Sequence, residues 1–406
     1  GWKPKDWGMA AFPTSAKSLV ATARRSARGS GSFVIPRISP EVAEALRREL
    51  DGYASRPLKI GSFSAASNVT GIITNTRAIA RLLHEHGALS FWDFAAAAPY
   101  VSIDMNPDDD PLAYKDAVVF SPHKMIGGPG TPGVLVARKE LFGNRVPAIP
   151  GGGTVMFVNP NEHRYLGDIE VREEGGTPAI VESIRAGLVF QLKQAVGLDR
   201  IRELEESFIT RAIQSWRKNP NIKLLGNPDA ERLSIVSFVV NHGDRYLHHN
   251  YVVALLNDLF GIQSRAGCSC AGPYGHQLLG IDDKRASEYR AWISRGYQGI
   301  KPGWCRVGFH YAFDDAEVDH LIDSVLFVAD HGHRFVDRYD YDDRSGGWRH
   351  KDWQEEGVDF SLAASLQTDR ARPDTVAATT RRRMYVQRCA RRRSSAVSAS
   401  SRTASR

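Results

Sequence analysis

Cysteine is scarce in this chain: four in 406 residues, at Cys268, Cys270, Cys305 and Cys389. Their spacing makes no disulfide framework, which points to a reducing compartment and so to the cytoplasm. Long hydrophobic runs are also missing. None approaches the ~20 residues that a membrane helix needs. The body has no excess of positive charge either. The formal charge of +7 is carried by the end of the chain, where Arg370 onward holds 11 Lys and Arg against one acid, Asp374. Without that stretch, 42 basic residues face 45 acidic ones, so the body gives no electrostatic ground for nucleic-acid binding. Acids are absent from Ser15 to Arg28, whose Ser, Ala, Lys and Arg suit a mitochondrial transit peptide or a disordered segment. The first residue is Gly1 rather than Met, so an incomplete N-terminus is expected, and no histidine precedes His84.

What is present suits a folded α/β protein. Hydrophobic residues make up 42%, enough for a sizeable core. Ser39-Pro40-Glu41 starts a helix whose apolar face is Val42, Ala45, Leu46 and Leu50. Leu58 to Ala65 reads as a strand. Asn75 caps a helix through Ile79, Leu82 and Leu83 that Gly87 ends, and Ala88–Asp93, Asp116–Phe120 and Gly133–Ala137 follow as strands. Alternating strands and helices predict a mostly parallel sheet covered on both faces. A long helical region follows, with Ile180, Ile184, Leu188 and Leu192 on one face; strands over 232–241 and 305–309 and helices over 251–260 and 316–329 complete a smaller α+β domain. The expected organisation is a poorly specified segment over 1–37, a large domain over 38–196, a smaller domain over 197–336, and a polar aromatic extension with a basic tail over 337–406. Arg391-Arg392-Arg393 in that tail suits a solvated disordered end, a nucleic-acid contact or a nuclear address.

The chemistry gathers at Ser121-Pro122-His123-Lys124, which leads into a glycine-rich turn through Gly127, Gly128, Gly130 and Gly133. A lysine at the end of a buried strand loses hydration, which frees a neutral amine for a Schiff base with an aldehyde. Pyridoxal 5'-phosphate (PLP) is the common aldehyde cofactor and needs an acid against its ring nitrogen, which Asp93 can supply. Ser121 and His123 can bond its phosphate. An ordinary exposed lysine in a Gly/Pro loop is the alternative.

Together with Ser67-Asn68-Val69, Gly176-Thr177-Pro178, Arg265-Ala266-Gly267-Cys268-Ser269-Cys270-Ala271 and Cys305-Arg306, these residues resemble the class V aminotransferase family of PLP-dependent enzymes, which includes cysteine desulfurases and selenocysteine lyases. The resemblance spans roughly Leu58 to Ala329. It implies a PLP-dependent transferase of fold type I, with a mostly parallel large domain that binds the cofactor. It further implies that Lys124 holds PLP and shuttles a proton, that Asp93 pairs with the pyridinium nitrogen, and that Ser121 and His123 bind the phosphate. Asn68 then lies near the ring hydroxyl or substrate, and Arg306, assisted by Arg265, grips the carboxylate of an amino-acid substrate. Thr177 reaches the phosphate of a neighbouring subunit, which implies a homodimer.

Cys270 matches the desulfurase nucleophile that carries a persulfide for a sulfur acceptor; a buried structural thiol or one half of a metal pair is the other reading. Where the family has a polar residue three positions after the aspartate, often Gln, this chain has Ala96. The family's N-terminal segment, with its Gly-Thr phosphate loop and stacking histidine, is not recognisable before Arg37. The resemblance thus implies a cysteine desulfurase-like lyase. An aminotransferase, epimerase or other lyase of the same fold is the alternative, as is an inactive truncated relative serving as an interaction protein.

Overall fold

The computed structural model describes residues 40–354 and the two-residue strand Leu19–Val20; the basic tail lies outside the described residues, as does all but Leu19–Val20 of the Ser15–Arg28 stretch. The described chain forms two compact units. One runs to Ser67 and resumes over Ile73–Arg202; the other takes Asn68–Ile72 and everything from Glu203.

The first unit is built on a five-stranded sheet. Its elements are β1 (Leu19–Val20), α1 (Pro40–Gly52), β2 (Ile60–Ser64), α2 (Thr76–Glu85), β3 (Leu89–Asp93), β4 (Ala117–Phe120), β5 (Val134–Ala137), β6 (Val155–Val158), β7 (His163–Tyr165), α3 (Ile169–Arg172) and α4 (Ile180–Val196). The sheet order is β1-β5-β4-β3-β2. β2, β3 and β4 run parallel, β5 is antiparallel to β4, and β1 is parallel to β5. The mostly parallel α/β sheet is therefore present. Asn75 caps α2 as its sequence position predicts, with Oδ1 accepting from Ala78 N at 2.9 Å.

Buried polar groups join α2 to the sheet. His84 Nδ1 lies 2.7 Å from Leu112 O and its Nε2 lies 2.8 Å from Asp116 Oδ2, while Ser90 N donates to that same Oδ2 at 2.7 Å. Asp116 thus ties the start of β4 to β3 and to α2, with almost no solvent contact.

Two expected helix faces need correction. In α1 the buried residues are Ala43 and Leu50, and Val42 is 52% exposed. In α4 the row Ile180, Ile184, Leu188 and Leu192 is exposed, at 59%, 61%, 57% and 42%. Ala186 and Val189 face inward instead. α4 is apolar on more than one row, so periodicity alone does not select a face. The row through Arg185, Val189 and Lys193 faces the protein because its two cations reach backbone carbonyls, as described below.

The second unit is an antiparallel sheet backed by helices. It contains α5 (Leu198–Trp216, which crosses the division), β8 (Ile222–Leu224), β9 (Ile235–His242), β10 (Arg245–Tyr246), α6 (His249–Phe260), β11 (Arg265–Gly267), α7 (Gly272–Leu279), α8 (Asp283–Ile293), β12 (Trp304–Gly308), α9 (Asp315–His331), β13 (Tyr339–Asp342) and β14 (Gly347–His350). Strand order is β10-β9-β12-β11, with β8 also on β9. Trp216, Phe238, Leu255, Val307, Phe309 and Val325 lie in one core cluster. A capping box of Asp314 and Glu317 starts α9. The polar stretch after Asp337 is structured in part: β13 and β14 form a hairpin in which Trp348 meets Tyr251 at 4.7 Å between ring centroids.

One buried carboxyl holds three pieces of this unit together. Glu205 Oε2 lies 2.6 Å from Ser234 Oγ, and Tyr311 N donates to Glu205 Oε1 at 3.2 Å. Ser234 Oγ is also 2.5 Å from Phe309 O. A single hydroxyl hydrogen serves only one of its two oxygen neighbours, so a protonated Glu205 completes the set. Burial agrees, pushing the Glu205 carboxyl up to about 7.

Candidate functional site

The carboxyl ends of β3 and β4 bring Asp93 beside the Lys124 turn. β3 ends on Asp93, whose Cα partner in β4 is Val119. β4 ends at Phe120, and Ser121 then leads into a single turn, Pro122–Lys124. This is the edge at which parallel α/β sheets bind ligands. Asp93 Oδ1 accepts from Ala95 N at 2.6 Å, and Oδ2 takes no hydrogen bond from the described residues. That unclaimed oxygen suits a protonated ring nitrogen.

The turn itself is wound tightly. A Cβ on Gly128 would sit 2.0 Å from Pro122 O, so only glycine passes there. Lys124 and His123 are exposed and Ser121 is half-buried. The desolvation expected for Lys124 is thus absent, because the lysine stands on the turn beyond the strand and not within it. Thr177 is also in this unit, exposed in the loop that leads into α4.

Sequence reading missed the supports that α4 gives this edge. Phe190 meets Phe120 edge-on at 5.7 Å, and Arg185 Nη1 donates to Pro129 O at 2.9 Å. Lys193 Nζ donates to Ala98 O at 2.5 Å and to Val101 O at 2.8 Å, holding the chain just after Asp93. Burial lowers the Lys193 ammonium to about 8. The available signal was the spacing of Arg185, Val189 and Lys193, four residues apart on one helical row.

The second unit gathers the remaining expected residues from three distant stretches. Arg306 Nη1 donates to Asn68 O at 2.7 Å. Asn68 Nδ2 donates to Ser269 O at 2.8 Å. Val69 O accepts from Ser237 Oγ at 2.6 Å, fixing the Asn68 segment to β9. Arg265 and Arg306 stand directly opposite on β11 and β12. Like charges in that register repel, and an anion placed between them relieves the cost. Asn68 is therefore a strut between Arg306 and the cysteine loop as well as a candidate ligand.

The cysteines divide sharply. Cys305 is buried, its Sγ donates to His249 O at 3.3 Å, and burial pushes its thiol far up. Cys268 and Cys270 are exposed. They flank Ser269 in a turn closed by Ala271 N donating to Cys268 O at 3.0 Å. No group of three or more His, Cys, Asp or Glu side chains suited to a metal occurs among the described residues, and no helix there is long and apolar enough to cross a membrane.

Comparison with known proteins adds the following. A family model described as aminotransferase class-V matches residues 45–321. A probable cysteine desulfurase of Halobacterium salinarum is 31% identical over 224 residues, covering 55% of this chain and 51% of that protein. A probable cysteine desulfurase of Streptomyces coelicolor is 28% identical over 280 residues, covering 69% of this chain and 59% of that protein. The chain thus spans about half the length of the curated relatives it matches. The apo structure of a cysteine desulfurase from Thermococcus onnurineus NA1 superposes with a TM-score of 0.56 at 24% identity, covering 70% of this chain and 63% of that one. That likeness concerns the fold.

Proposed function

This chain belongs to the aminotransferase class-V family, and from that premise we propose that it is a cysteine desulfurase-like lyase that takes pyridoxal 5'-phosphate on Lys124 and acts on an amino acid. One observation carries the reading: a carboxylate with an unclaimed oxygen and an exposed lysine stand at or one turn beyond the carboxyl ends of two adjacent parallel strands. The cofactor, when bound, supplies an electron sink next to the substrate's α-carbon. Every other task falls to the chain.

Asp93 Oδ2 holds the ring nitrogen in its protonated form. Ser121 and His123 bind the phosphate, and Lys124 Nζ takes the aldehyde and then moves a proton. Arg306 and Arg265 receive the substrate carboxylate, which offsets their mutual repulsion. Cys270 Sγ, as thiolate, forms a bond to the substrate sulfur while the substrate's carbon–sulfur bond breaks and its electron pair stays with the carbon side, which the electron sink stabilises; the persulfide left on Cys270 passes its outer sulfur to an acceptor.

The active species in this reading is a homodimer, with Thr177 reaching the phosphate of the neighbouring subunit. The exposed Ile180, Ile184, Leu188 and Leu192 row supports it, since a contiguous apolar stripe on a surface marks an interface. Light scattering should return twice the chain mass for the native protein, and Ile184→Asp should yield monomer.

The test of the whole reading is borohydride reduction of PLP-loaded protein followed by peptide mapping. The reduced adduct is expected on Lys124, with alanine and transferable sulfur formed from cysteine. An adduct elsewhere, or none, overturns it. An adduct on Lys124 with amino-group transfer or racemisation in place of desulfuration moves the protein to the aminotransferase or epimerase reading.

A further inference from the structure

Two exposed thiols share one turn, and the desulfurase reading uses only one of them. We propose that Cys268 is a resolving cysteine. Its thiolate attacks Sγ of a persulfidated Cys270, releases the outer sulfur as hydrosulfide and closes a Cys268–Cys270 disulfide. The proposal rests on the reading above for the natural source of the persulfide.

The geometry comes from the turn. Ala271 N donates to Cys268 O, so Cys268 to Ala271 form a β-turn with Cys268 first and Cys270 third. Ser269 and Cys270 have φ of 49° and 60°, both left-handed, and they are the only non-glycine residues at positive φ among those described. Two left-handed central residues with that hydrogen bond make a type I′ turn. A left-handed Ser269 is the mirror image of a helical residue, and helical dimensions set Cα atoms two residues apart at about 5.4 Å, inside the window of about 4.4–6.8 Å that a disulfide requires.

The turn is also held in place. Asn68 Nδ2 grips the Ser269 carbonyl, and the Ser269 side chain is buried, with an Oγ that takes no hydrogen bond from the described residues. Burying the middle side chain leaves both flanking thiols in solvent. Left-handed backbone at a non-glycine pair costs energy and is kept where the surroundings enforce it.

The step balances. The Cys270 Sγ–outer sulfur bond breaks and the Cys268 Sγ–Cys270 Sγ bond forms. The outer sulfur leaves with the bonding pair as hydrosulfide and is thereby reduced, while the Cys268 sulfur is oxidised by the same two electrons. The proton of the Cys268 thiol goes to solvent. A dithiol reductant then returns both cysteines to thiols, which is favoured for a disulfide strained in so small a ring. The consequence is a chain that delivers sulfide and resets with dithiol, with persulfide on Cys270 only as a short-lived carrier.

The experiment uses the full chain in two arms. In the first, reduced protein is treated briefly with inorganic polysulfide, desalted anaerobically, quenched with alkylator at intervals and peptide-mapped. The native chain should lose its Cys270 persulfide about tenfold or more faster than Cys268→Ser, because the attacking thiol is tethered, and should gain a Cys268–Cys270 disulfide that a dithiol removes. Cys268→Ala should behave as Cys268→Ser does, and buried Cys305 should stay unmodified. Equal persulfide lifetimes in native and Cys268→Ser protein, with no crosslinked peptide, overturn the proposal.

In the second arm, cysteine and PLP replace polysulfide. If a disulfide forms with polysulfide but not with cysteine, the resolving pair stands and the desulfurase reading falls. If a persulfide from cysteine persists on Cys270 without crosslinking, the reverse holds.

Discussion

The edge carrying Asp93 and Lys124 and the cluster around Asn68 position reactive groups by opposite means. At the first, neighbouring strands of a parallel sheet end side by side, and each reactive residue lies at a strand end or one turn beyond it. The side chains themselves stay open to solvent or half-open, and rigidity comes from behind, through α4. In the second, Ser269 and Arg306 are each joined to Asn68 by a hydrogen bond across more than two hundred residues of chain. Strand ends can present a group that must receive a cofactor. A mesh of hydrogen bonds suits groups that must hold a fixed relative orientation, because each bond removes one freedom.

The sharpest way to break this comparison is Lys124→Ala. An exposed side chain carries little of the fold, so thermal stability should stay near that of the native chain. Turnover on cysteine should drop by about a thousandfold or more, together with the long-wavelength absorbance of bound PLP. A large loss of stability would show that the Lys124 turn is structural.

His84→Ala tests the framework behind the same edge. It removes one partner of buried Asp116, which keeps the Ser90 amide at 2.7 Å and Arg138 at 3.6 Å, and losing a buried hydrogen-bond partner costs about 1–3 kcal/mol. Denaturant unfolding should show that loss, and PLP affinity should weaken because β3 and β4 lose part of what fixes their register. Unchanged unfolding would mean that strand pairing alone holds the edge.

The corresponding buried acid in the second unit should behave differently, since Glu205 is more stable in its neutral form. Its folded pKa of about 7 lies above the ordinary 4.5, so across that window the native state keeps a proton that the unfolded state has released. Stability should therefore fall as pH rises from about 4.5 to 7 and stay at its lower level above that. Glu205→Gln keeps a donor for Ser234 and an acceptor for Tyr311 without the charge. It should flatten the profile and raise stability above pH 7 by at most about 3.5 kcal/mol, at about 1.4 kcal/mol per pKa unit. Denaturant midpoints measured from pH 4 to 8 decide it, and a profile unchanged by the substitution rejects a proton on Glu205.

The smallest expected effect is that of Asn68→Ala. Losing one side-chain hydrogen bond to the Ser269 carbonyl costs about 1 kcal/mol. Alkylation of Cys268 and Cys270 should become less uniform as the turn loosens, while Lys124 should still take PLP. Loss of cofactor binding on this substitution would give Asn68 a direct part in holding it.

Much of the first region is legible in the sequence. Asp93 and Lys124 follow β runs about thirty residues apart, and the glycines that must wind the turn are written after them. The helix ends at Asn75 and Gly87 were equally plain, because a cap is a local matter of one side chain and the next few amides. The inward face of α4 was not legible. Apolar residues lie on several of its rows, and the deciding contacts, from Arg185 to Pro129 O and from Lys193 to Ala98 O and Val101 O, lie 56 and more residues away. The exposure of Lys124 was also missed, since a strand pattern says where a strand stops but not how the chain leaves it.

Local chemistry alone determined the strands at β2, β3, β4, β5, β9 and β12 and their order of appearance, the helix cap at Asn75, the glycine turn, the acid and lysine at strand ends, and the paired cysteines one residue apart. These rest on interactions that span a few residues and so leave a mark in the sequence. Tertiary structure decided which thiol is buried and which two are exposed, that Asn68 braces Ser269 and Arg306, that Arg265 faces Arg306, and that Glu205 keeps its proton. Burial and register depend on segments that meet only when the chain has closed, and no short stretch of sequence contains both partners.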